Sequence, residues 1–324
     1  MDATLLEKEN IEVVSTRLPY TLKFQVRTSI NDFVKWSQEY KDELNQKLYE
    51  SGAILFKNVD INSVDDFELT IKPLFENPIT YFDGFSPRRK IASNTYTSTE
   101  YDADFFITLH NELSFSSTWP TKLFFGCLVP PKDRGETVIV DGRSILNKLD
   151  KPLLKELEDK GVKYVRNLHG GEGPGPSWQE TYETESKEEV EKFFYKNGVT
   201  YEWKDDGGLK VTQIRPATIL HPVTKEKVWF NQVDQFHPSQ FEDEIYETLM
   251  MMFEREEDLP MYGSFGDGSK ISVDKIRSIH KVFEENMILN KWEQGDILVV
   301  DNMLVCHGRM PYSGDRKIVV SMCK

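Results

Sequence analysis

Trp292-Glu293-Gln294-Gly295-Asp296-Ile297-Leu298-Val299-Val300-Asp301-Asn302-Met303-Leu304-Val305-Cys306-His307-Gly308-Arg309 reads as two apolar strands, Asp296–Val300 and Met303–His307, flanking an Asp-Asn turn. His307 ends the second strand just before a glycine, from where an imidazole can face the mouth of a barrel. Pro311, Tyr312, Gly314 and Asp315 make the next turn, and Arg316 opens a last strand over Lys317–Met322.

Working outward, the same kind of short strand recurs at Thr21–Thr28, Ala53–Val59, Phe105–Leu109, Lys122–Leu128 and Thr137–Val140. It returns at Lys163–Leu168, Thr200–Trp203, Lys210–Ile214 and Lys227–Asn231. Helices lie between them. Asn31 caps one that runs past Phe33 and Leu48 to Gly52, and Ser63 with Asp66 opens another towards Phe75. Asp150 with Pro152, and Ser186 with Glu189, open two more; Glu242–Glu254 and Asp274–Met287 complete the set. Many short, mostly non-parallel strands with helices at the start and as insertions predict a mainly β fold with helical decorations, a barrel or a sandwich. No glycine fingerprint follows a strand and no phosphate loop exists, which excludes a doubly wound nucleotide fold. The glycine-rich run Gly170–Pro176 is a surface loop or a lid.

The chain has 324 residues with 40 Lys+Arg against 54 Asp+Glu, a net charge of −14, and 12% aromatics. That is packing material for a sizeable core, and it excludes a disordered chain. The acidic balance argues against nucleic acid and anionic membranes as partners, and no apolar run is long enough to span a bilayer. The start, Met1–Lys8, lacks the basic and apolar regions of a secretory signal. Cys127, Cys306 and Cys323 are odd in number and lie in apolar text, so they are expected reduced and buried in a cytoplasmic protein.

Chemistry enters with six histidines. In His110-Asn111-Glu112 the His and Glu stand two apart, so a strand would point both to one face. With 54 acids in 324 residues, chance puts an acid at +2 of at least one of six histidines roughly two times in three. The pattern therefore needs His307. Two neutral imidazoles and a carboxylate make the facial triad that suits non-haem Fe(II) and leaves positions open, and a nearby arginine can fix a dicarboxylate. Asn94, Ser98 and Glu100, before the first histidine, are candidates for holding a polar substrate. So are Asn231 at a strand end and Arg309 two residues after His307. His169 adjoins the glycine-rich run and is within reach of a pocket, whereas Cys306 points away from His307 by the period of two.

Gly52-Ala53-Ile54-Leu55-Phe56, His110-Asn111-Glu112, Pro120-x-Lys122-Leu123-Phe124-Phe125, Gly135-Glu136-Thr137, Trp229-Phe230-Asn231 and the block Gly295–Arg316 occur in the order and spacing of one family. Over most of its length the chain resembles the taurine-dioxygenase (TauD/TfdA) and clavaminate-synthase-like Fe(II)/2-oxoglutarate oxygenases. The resemblance implies a double-stranded β-helix, or jelly roll, as a single domain over 1–324 with an insertion at about 145–290. It implies that His110, Glu112 and His307 bind iron, that Arg316 pairs with the distal carboxylate of 2-oxoglutarate, and that the Thr137 hydroxyl helps to hold it. Some relatives carry two or three arginines or a longer loop after the second histidine; here Arg316 and Lys317 stand alone. Related halogenases replace the acid with Ala or Gly, so Glu112 points to hydroxylation or a related oxidation.

The expected activity is hydroxylation of an unactivated C–H of a small polar metabolite, an amino acid free or tethered to a carrier protein, with O2 consumed and succinate and CO2 released. Two other readings stay open: a binding protein of the same fold without turnover, and a Zn-dependent hydrolase on the same three residues. The intact ligands argue against the first, and Arg316 with Thr137 against the second.

Overall fold

The computed structural model describes residues 11–324; the start at Met1–Lys8, read above as lacking a secretory signal, lies outside them. The fold is mainly β with helices. A seven-stranded sheet runs in the order Ile11–Ser15, Tyr20–Thr28, Ala53–Val59, Ile297–Asp301, Lys122–Val129, Lys317–Cys323, Thr95–Thr97. Its pairs are antiparallel apart from Tyr20–Thr28 with Ala53–Val59. A four-stranded antiparallel sheet runs Ile288–Asn290, Thr137–Asp141, Val305–Arg309, Ile107–His110.

The uninterrupted apolar runs are explained by cores on both faces of the large sheet. Leu55, Phe125, Leu298, Val300, Ile318 and Val320 join Val138, Val140 and Val305 of the small sheet in one core. Their chain neighbours Ile54, Phe56, Phe124, Ile297, Val299 and Val319 point the other way, into a second core with Phe33, Trp36, Leu44, Leu48 and Phe67. The period of two thus divides each strand between two cores, and the first core joins the two sheets face to face. Between Thr137–Asp141 and Ile288–Asn290, which pair with each other, the chain builds a third sheet, Thr200–Trp203, Leu209–Arg215, Val162–Leu168, Met261–Phe265.

Local signals are realised with specific shifts. The helix expected from Asn31 is two, Ile30–Glu39 and Lys41–Ser51, and its cap is Ser29, whose hydroxyl accepts from the Asp32 N–H. Gly52 ends the second at φ 82°, and a Cβ there would come 2.5 Å from Val305 Cγ2. Ser63 and Asp66 form the full capping box. Ser186 accepts from the Glu189 N–H, but the Glu189 carboxylate takes the Thr184 hydroxyl instead of returning to the cap. Ser177 and Glu180 form a box at Trp178–Tyr182 that was not foreseen.

Two corrections bear on the site. The strand expected at Met303–His307 is Val305–Arg309. Asp301 Oδ1 accepts the N–H groups of both Met303 and Leu304 and so lengthens the turn. His307 therefore lies mid-strand. The earlier strand ends at His110, and Glu112 lies in the turn beyond it, with Leu113 at φ 56°. Strand alternation is not what brings Glu112 to His110.

Candidate functional site

His307 and His110 stand opposite each other in register on adjacent strands, with ring centroids 4.4 Å apart. Glu112 reaches them from its turn, its Oε2 3.9 Å from His110 Nε2 and 3.7 Å from His307 Nε2. The three ligand atoms lie within 4.8 Å of one another and all three residues are buried. Among the described residues this is the one group of three such side chains placed to hold a metal ion.

Glu112 is held by the quoted Asp-Asn turn. Asn302 Oδ1 accepts the Glu112 N–H at 2.7 Å, and its Nδ2 donates to the carbonyls of Glu112 at 3.0 Å and Pro120 at 2.8 Å. Asn111 Nδ2 donates back to the Asn302 carbonyl at 2.7 Å, and Cys306 Sγ donates to Asn111 Oδ1. The two sequence patterns singled out for chemistry are thus one stapled unit. Asn302→Ala leaves three buried backbone groups without partners and is expected to destabilise the protein by about 3 kcal/mol or more, seen as a lower urea midpoint.

His110 Nδ1 lies 2.8 Å from the Thr108 carbonyl, which makes it the protonated nitrogen and leaves Nε2 free to ligate. Gln235 Nε2 donates to the same Thr108 at O (3.1 Å) and Oγ1 (2.9 Å). Burial, reinforced by His307, pushes His110 down to about 3. Burial alone would raise Glu112, but Arg88 and the two histidines outweigh it and hold the carboxyl below its usual range. A neutral imidazole and an ionised carboxylate are the forms that bind metal. Unfolded, His110 would take up a proton near 6.5, so acid favours the unfolded chain. In metal-free protein this contribution to stability is complete above pH 6.5 and falls by about 1.4 kcal/mol per unit between there and about pH 3. Urea titrations at pH 7 and 5 test it, with a smaller difference expected for His110→Ala.

Arg316 lies in the same cavity as both histidines and Thr137. Its Nη1 donates to Ser98 Oγ at 3.2 Å and its Nε to the Gly135 carbonyl at 3.3 Å. No carboxylate pairs with it among the described residues, and burial with Arg309 nearby lowers it to about 10. A buried guanidinium without an acid is a receptor for an anion. Thr137 Oγ1 accepts the Trp292 indole N–H at 3.1 Å, so its own proton is available to a ligand. Phe125, Ile107, Ile318 and Val320 give the cavity apolar walls.

The other expected site residues part company. Arg309 lines the cavity, but its terminal nitrogens donate to the carbonyls of Thr99, Tyr101, Asp102 and Phe105, so it clasps that segment. Asn231 is fully buried, with Nδ2 donating to Ala217 O and Oδ1 accepting from Val233 N; it shapes the turn after Lys227–Trp229. Glu100 pairs with exposed Arg89 at 2.8 Å, and Asn94 donates its N–H to Glu68 at 2.9 Å; neither lines the cavity. His169 ties the glycine-rich run, accepting the Gly171 N–H at Nδ1 with Nε2 3.1 Å from the Gly175 carbonyl. Arg88 carried no sequence signal: it stands in irregular chain, and its Nη2 donates to Glu112 Oε2 at 2.6 Å.

The donor set fits Fe(II), since two neutral imidazoles and one carboxylate on one side leave room for further ligands. The family model described as taurine catabolism dioxygenase TauD, TfdA family matches residues 16–323. The chain is 34% identical to the dapdiamide synthesis protein DdaC of Enterobacter agglomerans, over 91% of this chain and 87% of that protein. It is 31% identical to a clavaminate synthase-like protein of Arabidopsis thaliana, over 90% and 86%. An asparagine oxygenase solved with Fe(II), (2S,3S)-3-hydroxyasparagine and succinate shares the fold at 12% identity and a TM-score of 0.53, over 88% of this chain and 78% of that one. With Fe(II) and 2-oxoglutarate as its cofactors, the chain belongs to the taurine catabolism dioxygenase TauD/TfdA family, the non-haem Fe(II)/2-oxoglutarate-dependent dioxygenases.

Proposed function

We propose that this enzyme hydroxylates an unactivated C–H of a small amino acid or amino-acid derivative. The carrying observation is one cavity lined by His110, His307, an acid-free Arg316 and Thr137 with its free hydroxyl, with Glu112 grouped with the two histidines. The hydroxyasparagine bound to the asparagine oxygenase and the part of DdaC in dapdiamide synthesis support an amino-acid substrate. The facing seven- and four-stranded sheets are then the halves of a double-stranded β-helix, one domain carrying the insertion of about 145–290. An acidic chain is a poor match for an acidic carrier protein, which favours a free substrate in the cytoplasm.

His110, Glu112 and His307 would hold Fe(II), which with 2-oxoglutarate and O2 supplies the oxidising power for C–H cleavage, with succinate and CO2 as co-products. The chain's share is placement. Thr108 fixes the His110 tautomer, Asn302 fixes the backbone of Glu112, and Arg316 with Ser98 and Thr137 orients the cosubstrate's distal carboxylate. The apolar walls exclude water from the reacting carbon. An anaerobic titration with Fe(II) and then 2-oxoglutarate tests the site. A weak visible charge-transfer band is expected in the native protein and its absence in His110→Ala; iron binding without a band would refute the cosubstrate assignment.

A further inference from the structure

The cavity contains a cation that the metal and cosubstrate do not use. Arg88 lines it and its side chain is 3% exposed. Besides the bond to Glu112, its Nη2 donates to Thr99 Oγ1 at 3.3 Å. Its Nη1 meets the thioether of Met322 at 3.9 Å, a weak acceptor, and its Nε is buried without any partner. The guanidinium stacks over the Tyr81 ring, 4.5 Å from its centroid, which fixes its plane.

A charge count shows what is missing, and it rests on the ligand and cosubstrate assignments proposed above. The two charges of Fe(II) are balanced by Glu112 and the C1 carboxylate of 2-oxoglutarate, and Arg316 by the distal carboxylate. Arg88 then has no anion of its own, and a guanidinium cannot shed its proton to escape burial. Among the described residues Arg309 also lacks an acid and has a buried, unpartnered Nε, but four carbonyls occupy both its terminal nitrogens, whereas Arg88 Nη1 meets only a thioether.

We propose that Arg88 is the specificity-determining residue of this enzyme and pairs with a carboxylate of the substrate, through the donors that Glu112 and Thr99 leave free. The substrate class is a small molecule with a free carboxylate. An amino acid whose only carboxyl is tied up in a carrier thioester does not meet this requirement.

The probes are propionate and propionamide, which match in shape and differ in charge, added anaerobically to protein loaded with Fe(II) and 2-oxoglutarate. Propionate is expected to perturb the charge-transfer band saturably, at about tenfold or more lower concentration than propionamide. In Arg88→Gln that ratio falls towards one. In Arg88→Lys, which keeps the charge and loses the planar fork, it falls severalfold but stays above one. If Arg88→Gln does not form the band, Arg88→Lys decides, and an unchanged ratio there overturns the inference. No discrimination by the native protein, or a native ratio in Arg88→Gln, overturns it too while leaving the site reading intact. Absence of any band in native protein refutes the site reading itself, and this inference with it.

Discussion

His307→Ala is expected to bring succinate formation from 2-oxoglutarate below about a hundredth of the native rate, with little change in the metal-free fold. Loss of an outer-shell partner of a metal ligand typically costs about 10- to 100-fold, and loss of a ligand itself should exceed that. The fold should survive because the His307 side chain makes ring contacts with His110 and Phe125 and anchors no hydrogen bond: its Nδ1 is buried without a partner, and its Nε2 lies 3.7 Å from Glu112 Oε2. Its strand is held by backbone pairing to Thr137–Asp141 and by Val305 and Cys306 in the core. The urea midpoint should therefore correspond to a stability within about 2 kcal/mol of native. Turnover near the native level would show that His307 is not a ligand. A collapse of the fold without metal would make the residue structural.

Arg316→Ala is expected to raise the 2-oxoglutarate concentration needed for half-maximal band formation by about a hundredfold to several thousandfold. Removing one partner of a buried charge pair costs about 3–5 kcal/mol, because the other charge is left desolvated. The iron requirement should move far less, since Arg316 touches Ser98 and Gly135 and none of the three ligands. The contrast with Arg309→Ala is informative. That change frees the carbonyls of Thr99, Tyr101, Asp102 and Phe105, so it should loosen the segment as well as weaken binding. If Arg316→Ala left the cosubstrate requirement unchanged, Arg309 would be the next residue to test.

Much of this was legible in the chain because it rests on short-range physics. Ser63 and Asp66 cap a helix wherever that helix sits, and Gly52 stops one because it alone accepts the left-handed turn against Val305. The apolar run Ile297–Val300 announced a strand, and its two-sided burial follows from having no polar face. His110, Glu112 and His307 were legible through residue type and through resemblance of the surrounding blocks. The geometric reason for pairing His110 with Glu112 was different from the expected one. The strand ends before Glu112, and Asn302, 190 residues away, presents the carboxylate.

Polar residues were the hardest to place. Asn231, Asn94 and Glu100 looked like substrate residues because polar side chains near a site strand need partners. In this structure Asn231 bonds Ala217 and Val233, Glu100 pairs with Arg89 and the Asn94 N–H donates to Glu68, and a one-dimensional reading cannot choose among partners so placed. Arg88 shows the converse: nothing in its neighbourhood marked it, yet folding brings it to Glu112 and strips it of water.

By itself, then, the sequence determined the mainly β class with its main apolar strands and capped helices, the donor chemistry and the family, since each depends on side-chain type, local capping or the order of motifs. The tertiary structure decided which nitrogen of His110 is free, what holds Glu112 in place, which arginines lack an acid and which asparagine is already committed. Those are matters of burial and of hydrogen-bond partners supplied by remote parts of the chain, and they exist only once the two sheets have closed over the cavity.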